Sequence, residues 1–193
     1  MIETIKKFVL CEQGKIITIR ETGKEAKLKE VIFESQYELV SLNTKIVKCQ
    51  GYKENILNKD CDGIFFVEHD DICTVVLIEL KSSITRVRDA LTQIQGSFWK
   101  ISKLINSIDI NKKVKFESLC IMPELTIEDK LLSVRANSSS NPENLFKKTI
   151  TIDFNHSPLK NLPLKENCRF NYLLCNCIQY KSDGNYINID KYI

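Results

Sequence analysis

The segment Cys73-Thr74-Val75-Val76-Leu77-Ile78-Glu79-Leu80-Lys81 constrains the fold of this chain more than any other. Val75 to Ile78 is apolar without alternation, the pattern of a strand buried on both faces. Such a strand needs a sheet with cover on each side, which predicts a mixed α/β domain. The same strand finishes in Glu79 and Lys81. Buried strands do not finish in two charges unless they reach a sheet end or a cleft.

The neighbouring segments supply the rest of such a sheet. Cys61-Asp62-Gly63-Ile64-Phe65-Phe66-Val67 reads as a second strand. The charged turn Glu68-His69-Asp70-Asp71 joins the two as an antiparallel hairpin. Downstream, Val87, Leu91, Ile94, Phe98, Ile101 and Ile105 recur at helical spacing, which predicts an amphipathic helix over 85–108. The basic connector Asn111-Lys112-Lys113 leads into a buried strand over 114–122, closed by Pro123.

Flanking segments are read in the same way. Phe8 to Cys11 and Lys15 to Ile19 flank Glu12-Gln13-Gly14, which predicts an N-terminal hairpin over 6–21. Leu28, Val31, Ile32, Ser35, Leu39 and Leu42 predict an amphipathic helix over 24–42, although Val31-Ile32-Phe33 also suits a strand. A strand over 44–50, a polar loop over 51–59, a short helix over 126–135 and a loop over 137–142 follow. The tail, 148–193, is β-rich, with strands over 149–154, 172–180 and 186–189 and a turn over 182–185. The expectation is one domain over 1–193 with its core over 24–123.

Composition narrows the function classes. With 43% apolar and 27% charged residues, the 193-residue chain can bury a proper core. It has no apolar run long enough to span a membrane. Its first residues lack the pattern of a signal peptide, so a cytoplasmic location is expected. The eight cysteines mostly sit in apolar runs and form no CxxC pair. They read as reduced, buried hydrophobes. Cys168 with Cys175-x-Cys177 has the wrong spacing for zinc, and two histidines, His69 and His156, exclude His-rich metal sites. A net charge of +3 provides no global basic field, so nucleic-acid affinity requires a local patch.

Chemistry concentrates at the end of the central strand. Side chains alternate along a strand, so Glu79 and Lys81 share a face while Leu80 points away. The hairpin can bring Asp62 to the same end. Two carboxylates and an ammonium group at one sheet edge suit metal-assisted phosphodiester hydrolysis. Hard oxygen ligands take Mg²⁺ or Mn²⁺, and the lysine orients water or neutralises developing charge. The bland alternative is a solvated strand end with a weak surface ion pair.

Asp62, then Glu79-x-Lys81 closing an apolar strand, then a helix carrying Asp89-Ala90-Leu91-Thr92-Gln93-Ile94-Gln95, resembles the PD-(D/E)XK nuclease superfamily. The resemblance covers roughly 24–123. It implies a restriction-endonuclease-like core in α-β-β-β-α-β order. It further implies that Asp62, Glu79 and the Leu80 carbonyl hold the metal, with Lys81 activating water and Gln93 assisting; Gln95 is the alternative glutamine. Cys61 stands where the motif's proline would be. Some members add a glutamate from the first helix, but Glu34 and Glu38 do not lie squarely on the buried face, so neither is assigned that role.

By that resemblance the chain is expected to be a Mg²⁺- or Mn²⁺-dependent nuclease acting on DNA, with RNA left open as a substrate and restriction or defence against phage or plasmids as its setting. Arg86, Arg88, Gln95 and Lys100 are the candidate nucleic-acid contacts, and Lys103, Lys112, Lys113 and Lys115 extend the basic region. Trp99 reads more readily as core than as a base-stacking platform. A homodimer, or a larger complex supplying specificity, is the expected assembly. The competing expectation is a catalytically silent nuclease-like module that binds nucleic acid or a partner protein.

Overall fold

A computed structural model describes residues 11–21, 28, 30–42, 60–82, 87–107, 112–124, 149–153, 172–181 and 185–193. The expected elements over 44–50, 51–59, 126–135 and 137–142 lie outside them. Eight strands form one mixed sheet: β1 (Cys11–Arg20), β2 (Glu30–Leu42), β3 (Gly63–His69), β4 (Ile72–Leu80), β5 (Lys113–Pro123), β6 (Thr149–Asp153), β7 (Tyr172–Tyr180) and β8 (Tyr186–Asn188). The helix α1 (Val87–Ser107) crosses between β4 and β5, and a 3₁₀ turn, Ile189–Lys191, follows β8. The spatial order is β1-β2-β3-β4-β5-β7-β6, with β8 alongside β2.

The central prediction holds. β3 and β4 are an antiparallel hairpin with His69 opposite Ile72, turning through Asp70 and Asp71. Asp70 takes a φ of 52°, a left-handed conformation that aspartate tolerates better than most residues. β4 then runs parallel to β5 with α1 as the crossover, and β5 runs parallel to β7. The buried side of α1 carries Ala90, Ile94, Phe98, Ile101 and Ile105 against Val75, Leu77, Phe116 and Cys120.

The second face is covered in a way the sequence reading missed. Residues 30–42 are strand, so the helix expected over 24–42 is corrected there, and with it the α-β-β-β-α-β order. Among the described residues the order is four strands, one helix and four strands. The Glu12-Gln13-Gly14 turn is corrected as well: β1 runs straight through it, with Gln13 opposite Val40 and Gly14 opposite Leu39. The glycine marks an irregularity in a strand, not the tip of a hairpin. Gly14 pairs with Leu39 but Ile16 pairs with Glu34, so Lys15 alone spans Ser35 to Glu38 of β2. That large bulge bends the ribbon.

Beyond the bend, the outer halves of β1 and β2 lie over the sheet face away from α1. Ile17, Ile19, Val31 and Phe33 pack with Phe65, Val76, Ile78 and Leu80. Phe33 meets Phe65 edge-on, ring centroids 5.3 Å apart. Gly63 makes room at this crossing, because a Cβ there would sit 2.0 Å from Cδ1 of Ile19 and force that side chain to shift. β8 joins the bent half of β2 in parallel, pairing Phe33 with Ile187. Asp190 fastens the bend: its carboxylate accepts from the Ser35 hydroxyl and, at 2.9 Å, from the Gln36 N–H. Both faces of β4 are therefore dry from Cys73 to Leu80.

Candidate active site

β4 ends where its cover ends. Lys81 follows the last strand residue and still donates its backbone N–H to the Ile121 carbonyl at 2.8 Å, so the strand geometry persists through the charged pair. Glu79 and Lys81 accordingly share the α1 face, and the Lys81 ammonium is ion-paired with Oε1 of Glu79. Glu79 is fully buried and Lys81 is 11% exposed. Leu80, on the other face, is core.

Asp62 lies just before β3, one step outside the Gly63–Ile78 pair. Its Oδ2 accepts the Leu80 N–H at 2.8 Å. That bond brings the two carboxylates to the same sheet end. Gln93, on the first half of α1, accepts from Nζ of Lys81 at 2.7 Å and donates from Nε2 to the Asp60 carbonyl at 3.0 Å. The four residues expected to form the site therefore meet, and Gln93 is the glutamine that reaches it.

Burial sets the electrostatics. Desolvation, reinforced by the negative charge of Asp62, pushes Glu79 up to about 8, against the pull of Lys81. Desolvation also raises Asp62, opposed by the Leu80 N–H and Lys81. Oε2 of Glu79 is buried without a hydrogen-bond partner. An orphaned carboxylate oxygen beside a second carboxylate is a site short of a cation or a proton. Among the described residues no three His, Cys, Asp or Glu side chains converge as metal ligands. The donors on hand are two carboxylates and the backbone of Leu80, all hard oxygens, which fit Mg²⁺ or Mn²⁺ with water completing the shell.

Other candidates are reassigned. Lys100 is 4% exposed and paired with the Asp60 carboxylate, so it is not a phosphate contact. Trp99 is 2% exposed and belongs to the interior, with Nζ of Lys103 4.1 Å from its ring centroid. Lys113 pairs with Ile72, at the opposite end of β4 from Glu79. Seven residues of strand separate those levels, roughly 23 Å at the usual rise. The basic stretch 112–115 is therefore remote from the carboxylates, and within it Lys115 is paired with Glu117. Gln95 is half-buried on α1. The Arg86 candidate lies outside the described residues, as does the side chain of Arg88.

Two contributors escaped the sequence reading. Glu21, just past β1, accepts from the Ser82 hydroxyl at 2.9 Å and adds negative charge near Asp62. The bend in the β1–β2 ribbon carries it there, and no local pattern announces that approach. Ser97, in the middle of α1, accepts the Cys61 N–H at 2.8 Å. Its place four residues after Gln93 and three before Lys100, on one polar stripe of the helix, was the available signal.

No protein-family model matches this chain, and neither a curated protein nor a solved structure matches it at a significant level. No described helix is long and apolar enough to cross a membrane.

Proposed function

We propose that this protein is a Mg²⁺- or Mn²⁺-dependent nuclease that hydrolyses phosphodiester bonds in DNA. The observation that carries the reading is the buried Glu79–Lys81 pair at the end of β4, with Asp62 bonded to the intervening Leu80 N–H and Gln93 bonded to Lys81. The succession of β2, β3 and β4 as an antiparallel meander, then α1, then β5 parallel to β4, supports a restriction-endonuclease-like core that lacks its first helix over 30–42.

Asp62, Glu79 and the Leu80 carbonyl would hold the cation. When bound, it supplies Lewis acidity, polarising a phosphoryl oxygen and lowering the pKa of water nearby. The chain's own groups do the rest. Lys81 orients the attacking water by donating to it and offsets charge gathering on the phosphoryl oxygens. Gln93 holds that ammonium in place through its Oε1. Glu79 must give up any proton it carries before both its oxygens can serve as ligands.

A cleavage assay on plasmid and single-stranded substrates with Mg²⁺, Mn²⁺ or EDTA tests the reading. Metal-dependent scission that EDTA abolishes is the expected result. Binding without cleavage on any nucleic acid would overturn it in favour of a silent nuclease-like module.

A further inference from the structure

Gln93, Ser97 and Lys100 stand at i, i+4 and i+7 on α1, one polar stripe down a single helix face. All three engage the same two residues. The Gln93 amide donates to the Asp60 carbonyl, the Ser97 hydroxyl accepts the Cys61 N–H, and the Lys100 ammonium pairs with the Asp60 carboxylate. Asp62 comes next in the chain.

A buried lysine is costly unless paired, so the Lys100–Asp60 contact has an evident stabilising role. Its placement argues for more. The side-chain amide of Gln93 has two ends, and the Asp60 carbonyl takes the NH₂ end. Oε1 is thereby turned to Lys81, at 2.7 Å. If the Asp60 backbone drifts, the amide loses the contact that sets its direction, and Asp62 loses its fixed approach to the Leu80 N–H.

We propose that Lys100, together with Ser97, is a positioning residue: it clamps Asp60 and Cys61 to α1 and so sets both the Asp62 carboxylate and the Gln93 amide that holds Lys81. This inference rests on the nuclease reading for its catalytic consequence, but its geometric content stands apart from activity. Lys100 touches no reacting atom; it acts through Asp60.

The test combines Lys100→Met, Lys100→Arg, Gln93→Ala and the Lys100→Met/Gln93→Ala double variant. Each is measured for Mg²⁺-dependent cleavage, and the Gln93 side-chain NH₂ is followed by hydrogen-exchange NMR wherever Gln93 is present. Lys100→Met is expected to lower kcat about tenfold with KM nearly unchanged, the scale for losing a group that orients a ligand. The Gln93 NH₂ should exchange faster in that variant, and Lys100→Arg should restore both readouts. In the Gln93→Ala background Lys100→Met should add little further loss of kcat, because the two act in series. Should Lys100→Met lower the melting temperature while kcat and Gln93 exchange stay at wild-type values, the role is structural only and the proposal fails. Full additivity in the cycle also overturns it. If Lys100→Met does not fold, Asp60→Asn keeps the backbone carbonyl, removes the carboxylate and is judged by the same criteria. If the wild type cleaves nothing, the nuclease reading falls and the exchange arm decides alone: lost protection sustains the clamp, and retained protection ends it.

Discussion

Oδ2 of Asp62 accepts the backbone N–H of Leu80 at 2.8 Å, and this bond ties the entry of β3 to the exit of β4. It fixes the carboxylate to the residue between Glu79 and Lys81, so the site is registered by the backbone itself. Asp62→Asn preserves an oxygen for that bond, whereas Asp62→Ala leaves the N–H unmet at a part-buried position.

Glu79→Ala and Lys81→Ala should each reduce metal-dependent cleavage by at least about a hundredfold, the usual scale for losing an electrostatic or acid–base participant. Glu79→Ala removes a carboxylate that is buried at a cost, so its melting temperature should be unchanged or higher, whereas Lys81→Ala leaves that carboxylate without its cation and should lower it. Cleavage by Glu79→Ala at the wild-type rate would place the active site elsewhere.

The raised Glu79 carboxyl makes stability depend on pH. In the unfolded chain this group deprotonates near the ordinary glutamate value, while in the fold it holds its proton up to about 8. Between those values the native state binds the extra proton, so stability should fall as pH rises through that window. Glu79→Gln removes the titration and should flatten the dependence. Melting curves from pH 5 to 9 on both proteins check this, and parallel slopes would refute it.

Gly63→Ala should destabilise the fold by about 1–3 kcal/mol, because the new methyl group meets the buried Ile19 side chain where the bent ribbon crosses β3. Ile19→Ala costs stability by itself, yet in the Gly63→Ala background it should cost markedly less. Urea denaturation of the four proteins in the cycle measures the coupling, and strict additivity would show that the two residues do not touch.

Asp190→Ala strips the acceptor from the Ser35 hydroxyl and the Gln36 N–H at the β2 bulge. A loss of about 1–3 kcal/mol is expected from groups left without partners, and less where water can reach them. Slower exchange of the Gln36 N–H in the variant than in wild type would contradict the contact.

Cys61, Cys73, Cys120, Cys175 and Cys177 are free thiols in the fold. Titration of the protein, denatured without reductant, should find nearly all eight cysteines reactive. Several bridged pairs would overturn both this expectation and the cytoplasmic one.

Local periodicity carried the central elements. The apolar run of β4, the two-residue turn before it and the 3–4 spacing of α1 each identify their element without reference to any other part of the chain. The common face of Glu79 and Lys81 follows from the two-residue period of a strand, which is equally local. Residues 30–42 misled for a physical reason. Val31, Phe33 and Ser35 are buried in alternation, then the bulge over Ser35 to Glu38 shifts the phase before Leu39, Val40 and Leu42 are buried again. A period of two broken by a bulge imitates a period near 3.6. The cover on the second face, the arrival of Glu21 beside Ser82 and the burial of Lys100 on Asp60 depend on which distant segments pack together. Long-range burial makes that choice, and a lysine on a helix reads the same in sequence whether it meets water or a carboxylate.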